Sequence, residues 1–196
     1  MSNRTIGRVV GGLFLAAFVC YGVGTALVGR PVGPPLILLN SVVVVTIGGL
    51  VYRVFRRRHP RTATTYLITR ALEAALLAVG VFGLTSMGSA AGNDLAYQFA
   101  MLILGVGSVP FCWALQRDRF VPVWLAIWGV VGYVVLAAGA LLELIGLSVG
   151  LVLTIPGGLF EVACGLTLIA RGFPDRVAPA PATDRYATED RLGASA

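Results

Sequence analysis

Six apolar stretches, at about 9–27, 36–54, 64–87, 95–115, 122–142 and 151–170, alternate along the chain with short polar connections. The hydrocarbon core of a bilayer is ~30 Å thick, and a helix needs ~20 apolar residues to cross it. The pattern therefore predicts an all-α integral membrane bundle of six transmembrane helices. The connections hold residues that stop or start helices. Pro31, Pro34 and Pro35 mark the first turn, and Pro60 prevents the second helix from continuing. Segments 88–94 and 146–150 read as a polar turn and a small-residue turn. Pro110 is expected to bend the fourth helix and Pro122 to sit in the first turn of the fifth. Pro156-Gly157-Gly158 is expected to interrupt the sixth. A membrane domain over 1–173 is thus followed by 174–196, a stretch of Pro, Ala, Asp, Glu and Arg without apolar periodicity, predicted to be a disordered cytoplasmic tail.

One stretch breaks the apolar rule from within. Segment 66–80 carries Arg70 and Glu73 well inside its limits, three residues apart and so on one side of a helix. A charge at the centre of a bilayer costs ~3 kcal/mol on insertion scales, so such residues face a protein interior. Residues can be compared in depth at ~1.5 Å of rise each. Arg70 lies ~13 Å and Glu73 ~18 Å in from Arg61, while Glu161 lies ~15 Å in from Arg171. Tyr133, ~16 Å beyond Pro122, reaches the same layer. Asn40, the one polar side chain singled out in the second span, lies somewhat further out, and Glu143 falls at the boundary.

Composition agrees with the pattern. Hydrophobic residues make up 57% of the chain and charged ones only 12%, too little polar surface for a soluble domain of this size. Every basic residue is an arginine. Arg4 and Arg8, the cluster from Arg53 to Arg61, Arg117, Arg119 and Arg171 fall on one side of the predicted bundle, and Arg30 alone on the other. That asymmetry predicts cytoplasmic N- and C-termini. Arginines confined to short loops beside apolar runs do not make the basic face that nucleic acid requires, so no nucleic acid is expected. Arg4 and Arg8 ahead of an apolar run also resemble a signal peptide, but the run is long and five spans follow it, which favours an uncleaved first helix.

The usual carriers of chemistry are missing. Cys20, Cys112 and Cys164 lie far apart within apolar runs, without metal-ligand spacing, and are expected to pack as small hydrophobes. His59, with no partner histidine or cysteine, is expected to be a solvated loop residue. The sequence has no H-E-x-x-H, G-x-S-x-G or Walker motif, so no metal and no cofactor is expected, and a membrane-embedded enzyme, the remote third alternative, would have to work with carboxylates, an arginine and tyrosines alone.

The candidate site is therefore Arg70, Glu73 and Glu161 with Tyr133 and Asn40. In one reading Arg70 neutralises one glutamate and fixes the packing of the third and sixth helices. Gln substitution at one of the two glutamates, but not both, would then strongly destabilise the fold. In the other, the leftover carboxyl carries a proton in mid-membrane beside a Pro-Gly-Gly break, as a small-solute or proton-linked carrier requires. Gly7 and Gly11 begin a small-residue face that suits close helix approach, either within the bundle or against a homo-oligomeric or other membrane partner.

Several segments together resemble a catalogued family. Arg70-Ala71-Leu72-Glu73-Ala74-Ala75-Leu76-Leu77-Ala78-Val79-Gly80 is similar to its R-x-x-E-A-x-L-L-x-V-G signature. Phe99 to Gly105, Val121 to Ala126 leading to Gly132-Tyr133, Ile155 to Glu161 and Ile169 to Phe173 also match. The family is domain of unknown function 4386. Val123 stands where arginine is usual, and Ala170-Arg171 where Val-Lys is usual. The resemblance implies a helical, multi-pass protein of the bacterial inner (plasma) membrane, and it marks Arg70, Glu73 and Glu161 without naming a substrate.

Overall fold

The computed structural model describes residues 1–147 and 150–174, and among these the only regular structure is helical. Helices α1 (Asn3–Ala26), α2 (Gly33–Phe55), α3 (Pro60–Met87), α4 (Ala90–Arg117) and α5 (Val123–Leu144) are followed by a 3₁₀ turn, Gly150–Thr154, and by α6 (Ile155–Arg171). Six helical segments, the last counted with part of that turn, are long and apolar enough to cross a membrane. The chain is a multi-pass membrane protein. The predicted tail, from residue 175 onward, lies outside the described residues.

Local chemistry moves several boundaries from where apolarity alone put them. The Ser2 hydroxyl accepts from the Thr5 amide, so α1 starts ahead of its apolar run. Segment 88–94, expected as a polar turn, is mostly helix. Gly88 closes α3 in the left-handed region at φ 65°, and the Ser89 hydroxyl accepts from the Gly92 amide at 3.2 Å, starting α4 at once. α4 continues through Pro110. Pro122 precedes α5 as its cap rather than lying in its first turn. Pro156-Gly157-Gly158 does not interrupt a span either. Pro156 lies in the first turn of α6, where its missing N–H leaves no bond unmade, and the break falls just before it at the 3₁₀ turn.

Each helix packs on its neighbours in sequence, and α6 closes back onto α1, so the bundle is a ring. The closing seam runs through glycines. A Cβ on Gly11 would collide with the backbone of Gly165 and Ile169, and one on Gly7 with the backbone of Gly172 and Phe173. The small-residue face of α1 is thus used inside the molecule. Among the described residues the 3₁₀ turn packs on α5 and α6 but not on α1, so there the same seam is open where α6 gives way to that turn.

The arginine-bearing end of the ring is filled. Phe55 meets Phe111, Phe120 and Phe173 edge-on at 5.7, 5.2 and 5.8 Å between ring centroids. Over this plug the Asp118 carboxylate takes Arg58 at 3.1 Å and His59 at 3.2 Å, tying the α2–α3 turn to the α4–α5 turn. His59 is therefore not a solvated loop residue. Its side chain is 14% exposed and its ring lies between Phe55 and Trp113. Cys112 and Cys164 are buried and all three cysteines are free.

Candidate functional site

The interior of the ring changes character at Arg70. This side chain is 1% exposed, and its guanidinium has a partner on every nitrogen. Nε donates to the Tyr66 hydroxyl at 2.9 Å, one helical turn back on α3. One terminal nitrogen donates to Glu73 Oε2 at 3.0 Å. The other donates to Glu161 Oε1 on α6 at 2.5 Å and to the Tyr133 hydroxyl on α5 at 3.4 Å. Tyr133 in turn donates to Glu161 Oε1 at 2.8 Å. The rings of Phe14 and Tyr66 lie 5.5 and 5.2 Å from the guanidinium carbon. Gly48 of α2 lets the Arg70 stem approach, since a Cβ there would come within 3.0 Å of it. The alternatives left by the sequence therefore resolve in an unexpected way. Arg70 is paired with both glutamates at once.

Beyond this layer, away from the plug, lies a cavity of about 340 Å³. Glu73 and Glu161 form its floor with Tyr133, and Leu77, Met101, Leu104 and Leu136 wall it with apolar surface. Asn40 also lines it. That residue is 3% exposed, and its amide has no hydrogen-bond partner among the described residues. Arg70 engages only Oε2 of Glu73 and Oε1 of Glu161; both residues line the cavity, and the second oxygen of each carboxylate has no hydrogen-bond partner among the described residues. Phe18, Gly22, Ile155 and Leu159, all exposed on the outside of the bundle, line the cavity at the open part of the α1–α6 seam.

A second cavity of about 220 Å³ lies nearer the end opposite the arginines, reaching Thr25, Asn93 and Asp94. Tyr21 and Tyr97 line both cavities, their rings stacked at 5.7 Å and 11° across the interior of the ring.

All five residues singled out from the sequence thus meet at one place, four in the ion cluster and Asn40 in the lining of the cavity beside it. Tyr66 was missed, although its spacing of four from Arg70 on one helix was available as a signal. Tyr21 and Tyr97 carried none, because α1 and α4 are not packed neighbours. Among the described residues no group of three His, Cys, Asp or Glu side chains is arranged to hold a metal ion. Ser108, fully buried on α4, has an enclosed hydroxyl that lacks a hydrogen-bond partner among the described residues.

The chain belongs to the family described as Domain of unknown function (DUF4386), whose profile matches residues 32–172. The match takes in every residue of the ion cluster and Asn40, and begins after α1. No curated protein and no solved structure matches the chain significantly.

Proposed function

We propose that the protein is a non-enzymatic carrier or receptor for a small solute, bound in the central cavity on a floor made by Glu73 and Glu161. The observation that carries this reading is that both glutamates line the cavity and each keeps a carboxylate oxygen with no hydrogen-bond partner among the described residues. A cluster built only to lock helices together has no use for a cavity of ligand size beside it. At about 340 Å³ this one lies at the small end of the ~300–1,000 Å³ typical of ligand sites. With one guanidinium against two carboxyls, a proton or a cation is needed for neutrality in a medium that penalises net charge. The reading places the protein in a bacterial plasma membrane with the arginine-bearing end in the cytoplasm.

The second reading, a structural or accessory membrane subunit, is favoured by the protein partner that each nitrogen of Arg70 has. It is weakened by the use of the Gly7 and Gly11 face within the bundle, which leaves that face unavailable to a partner. Reactivity of a cysteine at position 40 distinguishes the two. In a chain with Cys20, Cys112 and Cys164 replaced by Ala, Asn40→Cys in the folded, detergent-purified protein should react with a small neutral thiol reagent. Its rate should approach that of an exposed site such as Ser86→Cys. Reaction only after unfolding would show a sealed interior and would sink the carrier reading.

A further inference from the structure

We infer that the ligand of the central cavity is an amphipathic organic monocation, an alkylammonium head on a flat apolar body. This rests on the carrier reading above and adds the chemical class. Three features of the cavity define it. First, the floor is made by Glu73 and Glu161, whose second carboxylate oxygens have no hydrogen-bond partner among the described residues and are hydrogen-bond acceptors. An ionised carboxylate accepts and does not donate, so it calls for a ligand rich in N–H. Charge-assisted bonds of this kind are the strong ones.

Second, the charge count favours one positive charge and no more. Arg70 offsets one carboxylate, and a single ammonium seated between Glu73 and Glu161 offsets the other. An anion would meet two carboxylates at once, and a neutral solute would leave the imbalance in place. Arg70 offers an anion little, because four of its five N–H donors already have protein partners and both carboxylates stand beside it.

Third, the rest of the cavity accepts an apolar, preferably aromatic, body. Tyr21, Tyr97 and Phe18 present rings to it, and ring faces attract both apolar surface and an adjacent cation. Asn40, buried and without a hydrogen-bond partner among the described residues, supplies an amide oxygen for a second N–H of the head group. The seam at Phe18, Gly22, Ile155 and Leu159 opens this volume sideways, so a molecule that partitions into lipid has a direct way in.

The test compares three probes of matched size on the full chain in detergent by titration calorimetry: 2-phenylethylammonium, 2-phenylethanol and phenylacetate. The cation should bind, and the alcohol and the anion should be weaker by ~10- to 100-fold, the worth of a charged hydrogen bond. Glu73→Gln should weaken the cation by a similar factor. Asn40→Leu, which leaves the ion cluster intact, should weaken it by a smaller factor while the protein keeps its unfolding temperature. Equal binding of phenylacetate or the alcohol would overturn the class. So would cation binding that neither variant alters. If no probe binds while Asn40→Cys still reacts in the folded protein, the accessible cavity stands and the cation class falls. If that cysteine is silent, the carrier reading falls with it.

Discussion

Arg70 is held as a buried hub, bonded to Tyr66, Glu73, Tyr133 and Glu161 at once, and this fixes what substitutions there will do. Removing the hub strands two carboxylates in the interior, whereas removing one glutamate leaves the arginine with the other. Arg70→Met should therefore lower stability by ~3–5 kcal/mol, the usual result of breaking a buried pair. Glu73→Gln and Glu161→Gln should each lower it by clearly less. Arg70→Lys should not rescue the hub, since one ammonium cannot span acceptors placed around a planar fork. Denaturant unfolding of the purified variants checks the ranking. A Gln variant as damaging as Arg70→Met would mean that one glutamate alone neutralises the arginine. That was the expectation from the sequence, where one cation and two acids at equal depth suggested a choice between partners. Depth counting is one-dimensional. It finds the residues of a layer but not how a forked side chain divides its donors among them. Tyr21 and Tyr97 show the same limit, since their stacking joins helices that do not pack together.

At the scale of helices, the seam between α1 and α6 decides whether the ring closes. Gly11 and Gly165 let the two backbones approach until a single methyl does not fit. Gly11→Ala should thus force the helices apart and destabilise the fold by ~1–3 kcal/mol, as overpacking does. Gly12→Ala, next to it on α1 with no atom within 4 Å of the added Cβ, should be neutral or slightly stabilising. Thermal unfolding of the two variants, with detergent and lipid held constant, reads the difference directly. Equal effects would remove the seam as the cause. Apolar runs made the number and order of the helices legible in the sequence, but not their ends. Ser89 and Gly88 show why. A capping hydroxyl and a left-handed glycine begin and end helices by local hydrogen bonding, so the polar residues 90–94 join α4 despite their composition. Pro156 shows the converse. In a long apolar run it reads as a break within a helix, whereas the chain enters α-helical geometry only at Ile155, after the 3₁₀ turn, with Pro156 in the first turn of α6.

For the whole molecule, the lasting feature is asymmetry along and around the ring. One end is sealed by Phe55, Phe111, Phe120 and Phe173 under the Asp118 tie. Toward the other end, the stacked Tyr21 and Tyr97 line both the central cavity and the second one. The side is different, because among the described residues the 3₁₀ turn does not pack on α1, and a Cβ on Gly22 would meet nothing within 4 Å. A route through the side delivers solute from lipid, and a route through either end delivers it from water. The two differ in which reagents reach position 40. In sealed vesicles, Asn40→Cys should react with a neutral, lipid-soluble maleimide and at least ~10-fold more slowly with a charged, impermeant one, whichever side the latter is added to. That ratio corresponds to ~1.4 kcal/mol of barrier. Gly22 has nothing within 4 Å of an added Cβ, so Gly22→Trp can place its ring over the opening without a clash. It should slow the neutral reagent, while Val79→Trp on the exposed face of α3 should not. Fast reaction with the charged reagent from the end opposite the arginines would instead make the tyrosine pair the entrance. The opening beside Gly22 would then be a packing gap filled by lipid.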